Sequence, residues 1–325
     1  MVPTRALIVA IALGSFALPA AAAEQWNYYI HQSAPQFATS RGAKQLAEDI
    51  ETATGGELKV RLHLSGTLQI NPSNITSAVG ENVVQMGDDL FLSGNIPVAG
   101  IPRLPMLIQS YEDYAKIAPV LRPYVEKAFA AKGVILLGEY IYPVQVVWGR
   151  KKLSSLDDIK GLKLRVASPE QGEFVRRFGG TSITMGAPEV PSALDRGVVD
   201  GIFTAGVGAA LWKDLLKFGY LISVNVNNAY IIANADAYGK LAPAVQGKLR
   251  DAVVAGARWN QDTMKQEEGE AVQTLTAANY VITRASPDEL SKASATMKPY
   301  WAEWAKSRGP EIEEALTKVQ AALGR

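Results

Sequence analysis

The segment from 161 to 201 alternates between strand-like and helix-like patterns. Strand-like runs occupy residues 162–166, 182–184 and 199–203, and apolar residues at helical spacing lie between them. Short strands that alternate with helices are typical of a mostly parallel sheet covered by helices. The same alternation begins after Glu24 and continues along the chain, so the sequence predicts an α/β fold.

One unusually long helix is predicted near the C-terminus. Apolar residues recur at helical spacing from Ala242 to about Ala278. At 1.5 Å per residue such a helix would be roughly 50 Å long, which is enough to cross two domains. Earlier in the chain, one or two helices follow Pro105, and Pro119 and Pro123 are expected to break them.

The N-terminus has the pattern of a secretory signal. Arg5 precedes an uncharged run at 6–18, and a stretch of small residues ends at Ala23. We expect cleavage after Ala23, so residues 1–23 are set apart from the fold. The uncharged run is shorter than the roughly 20 residues that span a bilayer. A lipid anchor is not expected, because the chain has no cysteine.

Charge and composition exclude several classes of protein. The predicted signal removes one of 33 basic residues and none of 32 acidic ones, so the remaining chain is electrically balanced. Nucleic acids and anionic membranes are recognised by a basic surface, so neither is an expected partner. The absence of cysteine excludes disulfides, thiol catalysis and thiolate metal sites. With two histidines and no glycine-rich phosphate loop, the chain shows no catalytic constellation, and we predict that it is not an enzyme.

The length predicts two domains, because chains beyond about 250 residues usually divide. We expect one domain from residues 24–141 and 230–268, and a second from 142–229 and 269–325. The ligand cleft would lie between them.

Arg165 is the strongest candidate for a functional residue. On its predicted strand it shares a face with Lys163, and this spacing alone favours a solvated strand face. The string Gly-Leu-Lys-Leu-Arg-Val at 161–166, followed by Met185 and by Gly-Val-Val-Asp-Gly at 197–201, resembles the solute-binding subunits of tripartite ATP-independent periplasmic (TRAP) transporters, the DctP-type family. In that family the arginine clamps a carboxylate, whose two oxygens match the paired donors of a guanidinium.

The resemblance implies a fold, a location and a partner. The fold is that of a two-domain periplasmic binding protein, in which each domain is a mostly parallel sheet flanked by helices and a long helix spans both domains. The protein would be a monomer in the periplasm, without a cofactor. It would capture a small organic acid by closing its cleft and deliver the acid to the membrane permease.

Further cleft residues are implied by the same resemblance. Gln145 stands where sugar-acid-binding relatives carry a second arginine, and we expect it to donate a neutral hydrogen bond. Thr204 offers a hydroxyl group and Phe203 an apolar wall. Phe203 also stands near the position of an acidic metal ligand in oxo-acid-binding relatives, so no metal is expected. The remaining candidates are Ser168, Met185, Gln32, Asp88, Asp89, Phe91 and Asn228.

Several alternatives stay open at this stage. The ligand could be an aromatic or aliphatic monocarboxylate, a hydroxy acid or a dicarboxylate. The protein could present its closed form to a receptor kinase instead of a permease, or it could be a secreted hydrolase. His31, at the end of the first predicted strand, could face the cleft. Trp148 and Trp212 are predicted to belong to the core.

Overall fold

The computed structural model describes residues 23–91 and 95–325. Apart from Ala23, the predicted signal lies outside the described residues. In chain order the strands are β1 (Glu24–Ile30), β2 (Leu58–His63), β3 (Met86–Asp89), β4 (Val134–Ile141), β5 (Gln145–Gly149), β6 (Lys163–Val166), β7 (Thr181–Thr184), β8 (Gly201–Thr204), β9 (Phe218–Asn225), β10 (Asn228–Asn234) and β11 (Val281–Arg284).

The helices cover both sheets that these strands form. In chain order they are α1 (Ala38–Thr54), α2 (Ile75–Gly80), α3 (Tyr111–Ala130), α4 (Pro169–Arg177), α5 (Val190–Asp195), α6 (Gly206–Leu211), α7 (Ala235–Lys240), α8 (Pro243–Ala277), α9 (Pro287–Lys306) and α10 (Pro310–Leu323). A 3-10 segment at Pro97–Arg103 precedes α3.

Two mixed sheets form the frame of the molecule. The first has the order β2-β1-β3-β10-β4, and the second has the order β11-β9-β5-β8-β6-β7. Only β10 in the first sheet and β5 in the second run antiparallel to their neighbours. Each of these strands enters its sheet from the other one, which reverses its direction. The α/β prediction is confirmed, and each sheet is mostly parallel with one antiparallel strand.

Two short segments and one long helix join the halves. The chain crosses from β4 to β5 through residues 142–144, and it returns from β9 to β10 through 226–227. The helix α8 is 35 residues long and packs on α1 and β4 of the first half and on α6 of the second. The predicted long helix is therefore confirmed to within one residue at each end. Pro243 occupies its first position, where a missing N–H costs no helical hydrogen bond.

The helix α3 runs unbroken through Pro119 and Pro123, so the predicted break is wrong. Both prolines are exposed, and so is Ala115, whose carbonyl loses its helical partner at Pro119. Water can satisfy the carbonyls that the two prolines leave free. The opposite face of α3 is buried in the core and stabilises the helix through Tyr114, Ile117, Leu121, Val125 and Phe129.

Two further elements differ from the sequence predictions. The strand expected at 83–86 lies at Met86–Asp89, because Asp88 and Asp89 are buried with hydrogen-bond partners and can belong to a strand. The C-terminal helix α10 packs on α3 in the first half. The predicted division assigned residues 269–325 to the second domain, but α3 covers the apolar face of α10 that includes Leu316 and Val319.

Candidate ligand-binding site

Arg165 is buried, in contrast to the solvated position that its strand pattern favours. Its strand β6 lies between β7 and β8, and the side chain is only 6% exposed. The Nε and Nη2 groups donate to the carbonyl oxygen of Met185 at 3.0 and 2.8 Å, and Nη1 donates to the carbonyl oxygen of Phe203 at 3.2 Å. The ends of β7 and β8 therefore fix the plane of the guanidinium.

The Arg165 guanidinium has donors to spare. Three of its five N–H groups are used, which leaves one on Nη1 and one on Nη2. Within the described residues, no carboxylate oxygen lies within 4.0 Å of it. Burial lowers its pKa to about 10, and the charge of Glu189 acts in the opposite direction. The group is still charged at pH 7, so the site is a buried cation with a pair of unused donors.

Met185 and Phe203 join the site through their main chains. Their carbonyl oxygens orient Arg165, as described above. The ring of Phe203 is fully buried, with its centroid 5.9 Å from that of Phe174. It belongs to the core of the molecule, because strand alternation turns Phe203 to the face opposite Ile202. The predicted apolar wall at this position is therefore a core residue in the structure.

Gln145, Ser168 and Thr204 lie at the ends of elements in the second half. The Nε2 of Gln145 donates to the Pro143 carbonyl oxygen at 2.8 Å. The Ser168 hydroxyl caps α4, where it accepts from the amide of Gln171 at 3.4 Å. Thr204 is half-buried at the end of β8. Thr204 ends β8 and Ser168 caps α4, whereas Gln145 begins β5, which runs antiparallel to β8.

The first half contributes a network of buried polar side chains. The Asp89 carboxylate accepts from the amide and hydroxyl of Thr76 at 3.1 and 2.6 Å, and from the amide of Phe91 at 2.9 Å. Burial nevertheless raises the pKa of Asp89 to about 6. His31 bonds to the Tyr142 hydroxyl at 2.7 Å, and its ring lies edge-on to that of Phe91. Both carboxylate oxygens of Asp89 thus already accept hydrogen bonds from within the protein.

Arg103, which the sequence analysis did not single out, is a second buried arginine. Its Nε donates to the Asn228 Oδ1 at 2.9 Å, and Nη2 donates to the Asn228 carbonyl at 2.7 Å and to the Leu90 carbonyl. The predicted ligand residue Asn228 is fully buried, and it also donates to the Ala99 carbonyl at 2.9 Å. The hydrogen bonds of Asn228 therefore fix the second crossing, at 226–227, to the 3-10 segment. In the sequence, the only signal for a buried Arg103 is that this arginine stands alone within the apolar run 96–108.

A cavity of about 460 Å³ lies between the two halves. Gln32 and Phe37, from the segment after β1, form one side, and Pro191, Leu211 and Trp212 form the other. Gln32 thus lines the cavity between the two halves. Arg165 is not among the described residues that line this cavity.

The two tryptophans differ in their surroundings. Trp148 is fully buried, as predicted. Trp212 is half-buried and packs on the core of the second half, but it also lines the cleft cavity. The prediction of a core position was therefore incomplete for Trp212.

Two α/β halves joined by two crossings and one long helix, with a cleft between them, define a two-lobed binding protein. A sequence model of the bacterial extracellular solute-binding proteins, family 7 (DctP), matches residues 29–307, so the chain belongs to this family. The predicted resemblance is confirmed. The family is one of solute-binding proteins and not of enzymes. No helix within residues 23–91 and 95–325 is long and apolar enough to cross a membrane.

Similar proteins support this assignment. The sialic acid-binding periplasmic protein SiaP of Vibrio cholerae is 24% identical over 85% of this chain and 87% of its own length. DctP7 of Bordetella pertussis, an extracytoplasmic solute receptor that binds pyroglutamic acid, superposes with a TM-score of 0.84 at 24% identity, over 92% of this chain and all of its own. A TRAP solute-binding protein of Chromohalobacter salexigens with bound D-glucuronate gives a TM-score of 0.83 at 18% identity, over 91% and 99%.

Proposed function

We propose that this protein captures a small organic acid between its two halves and delivers it to a TRAP membrane permease. The observation that carries the proposal is Arg165, a buried cation with one unused N–H on each of Nη1 and Nη2. A carboxylate would accept from both groups and balance the charge. A buried arginine without such a partner is costly, because its charge has been removed from water.

The proposed ligand is a monocarboxylate. Gln145 stands in place of the second arginine of sugar-acid-binding relatives, and its side chain is neutral. A second acidic group on the ligand would then find no cation at this position. Pyroglutamate, which DctP7 binds, is the first acid to test, and a dicarboxylate such as succinate is the contrasting one.

Closure of the two halves would strengthen the bond between Arg165 and the ligand. When the cleft closes, water leaves, and an ion pair interacts more strongly in the drier surroundings. The crossings at 142–144 and 226–227 would absorb the rotation, and α8 would bend or slide. Spin labels on the outer surfaces of the two halves would report closure as a shorter distance when ligand is added; an unchanged distance would contradict it.

The proposed setting is the periplasm. The predicted signal at residues 1–23 would direct export, and the protein would then work as a monomer with the permease. Mass spectrometry of the protein after expression with its signal tests the cleavage: a mature chain that begins at Glu24 is expected, and an intact N-terminus would contradict it.

Thermal-shift measurements test the ligand class directly. The panel holds pyroglutamate, D-glucuronate, aliphatic and aromatic monocarboxylates, hydroxy acids and dicarboxylates, together with the primary amide of each. A ligand at 100 times its dissociation constant stabilises the native state by about 2.7 kcal/mol. We expect an acid to raise the melting temperature and its amide to leave it unchanged. Stabilisation by neutral compounds alone would contradict the proposal.

A further inference from the structure

A second cavity, of about 240 Å³, lies where the first crossing meets α8. We call it the hinge cavity. Pro143 and Val144 of the crossing form one wall, Leu221 of β9 forms another, and Val272 of α8 closes the apolar part. An apolar cavity of about 150 Å³ is enough to hold benzene. The hinge cavity therefore has room for a small molecule with an apolar body.

Two cations stand at this cavity. Lys265 on α8 and Arg284 at the end of β11 both line it and are exposed. Within the described residues, neither side chain has a carboxylate oxygen within 4.0 Å. The one carboxylate among the described lining residues, Glu268, accepts from the amides of Gly206 and Val207 at 2.7 and 2.9 Å. The Glu268 carboxylate is thereby bound to the start of α6, and Lys265 and Arg284 remain available to bind a ligand.

Tyr111, the first residue of α3, also lines the cavity. The Tyr111 hydroxyl is inaccessible to solvent and has no hydrogen-bond partner within the described residues. The Nζ of Lys265 lies 5.3 Å from the centroid of the Tyr111 ring. Burial, together with the charges of Glu268 and Asp262, raises the pKa of Tyr111. The phenol therefore stays protonated and can donate a hydrogen bond.

From this arrangement we infer that the hinge cavity is a second binding site, separate from Arg165, for a small carboxylate with an apolar body. Lys265 and Arg284 balance the charge of the ligand, Tyr111 donates a hydrogen bond to it, and the apolar walls hold its body. A carboxylate with an apolar body matches this lining, because its charge suits the two cations and its body suits the apolar walls.

Occupation of the hinge cavity affects the cleft, because its wall at Pro143 and Val144 is part of the segment that joins the halves. A rotation about this segment changes the shape of the cavity. A ligand that binds one shape of the cavity more tightly therefore shifts the equilibrium between the open and closed arrangements of the two halves. By reciprocity it also changes the affinity of the cleft for its acid. The binding site itself does not depend on the function proposed above.

The test uses 4-fluorobenzoate as the probe and the full chain with Arg165→Ala, which removes the cleft cation. Fluorine NMR titration is expected to show one saturable site. Adding Lys265→Gln and Arg284→Gln should weaken it at least tenfold, because both charges at the carboxylate are lost. Tyr111→Phe, which removes only a hydroxyl, should weaken it about fivefold, the effect of one lost hydrogen bond.

The matched control is the pair Lys248→Gln and Arg258→Gln, which removes the same two residue types from exposed positions on α8. It should leave the affinity for the probe within twofold. Three results would overturn the inference: no saturable binding by Arg165→Ala, binding that the hinge variants do not weaken, or equal weakening by the control pair. If the hinge double variant does not fold, the Tyr111→Phe titration decides alone, and an unchanged affinity contradicts the site.

Discussion

Arg165 and Arg103, the two buried arginines among the described residues, are similar in burial and different in their surroundings. Arg165 is 6% exposed and Arg103 is 3% exposed, and burial lowers the pKa of both. Arg103 bonds to the side chain of Asn228, and the protein's own charges stabilise its cation, foremost that of Glu170. Among the residues that the structure describes, only the charge of Glu189 supports Arg165 in the same way.

This difference teaches which buried charge belongs to the fold and which to the ligand. The hydrogen bonds of Arg103 tie the 3-10 segment before α3 to the second crossing, so its loss affects the frame. In the described part of the chain neither arginine has a carboxylate oxygen within 4.0 Å, and each leaves two N–H groups unused. Those of Arg103 are both on Nη1, whereas Arg165 has one on each of Nη1 and Nη2, the pair that matches the two oxygens of a carboxylate. A buried cation of this kind is suited to an anion that comes from outside.

The first test of the difference between the two arginines is Arg165→Ala, for which we expect the largest effect, a loss of affinity for the acid. The variant should fold normally and lose about 2–5 kcal/mol of affinity for the acid, since a buried charge-assisted pair is removed. Titration calorimetry measures the loss. Lys163→Ala, on the same strand but exposed, is the control. Affinity within threefold of wild type would mean that Arg165 is another structural arginine.

Arg103→Met should act on the fold instead. We expect it to lower the free energy of unfolding by about 3 kcal/mol, because it leaves the Asn228 oxygen and the charge of Glu170 without their cation. Urea unfolding measures this. Arg122→Met, on the exposed side of α3, removes a surface ion pair with Glu126 and should cost less than about 1 kcal/mol. A variant as stable as wild type would contradict the structural role of Arg103.

The next prediction concerns Asp89 and the pH dependence of the free energy of unfolding. Its pKa is about 6 in the folded protein and is lower when the chain unfolds, so the folded state binds the proton more tightly. The contribution of Asp89 to stability is therefore largest below pH 4 and falls as the pH rises to 6, by roughly 2–3 kcal/mol. Urea unfolding between pH 4 and pH 7 should show this fall in wild type relative to Asp89→Asn. Equal pH dependence in both proteins would contradict it.

The smallest expected effect is that of chelation. The resemblance implies that Phe203 stands near the position of an acidic metal ligand in oxo-acid-binding relatives, so Arg165 is predicted to bind the acid without a metal. Calorimetric affinity should be the same before and after exhaustive treatment with EDTA. A loss of binding that calcium restores would show that a cation shares the role of Arg165.

The sequence predicted the elements that have periodic or local signals. The helix α8 follows from regular apolar spacing, and Arg165 follows from a six-residue string. The burial of Arg165 could not be predicted, because its strand alternates like a half-exposed one and the Met185 and Phe203 carbonyls that accept from its side chain come from other segments. The core position of Phe203 and the role of Arg103 depend on contacts between segments distant in the chain. The unbroken α3 depends on which face of the helix is covered, and local proline rules do not contain that information.

The central claim, that Arg165 reads the carboxylate, is tested most directly by a calorimetric cycle. Wild type and Arg165→Ala are each titrated with the acid found by the screen and with its primary amide. If the two groups meet, the preference of wild type for the acid should collapse in the variant, with a coupling energy of about 2 kcal/mol or more. If the variant prefers the acid as strongly as wild type does, the carboxylate is bound elsewhere and Arg165 is not the clamp.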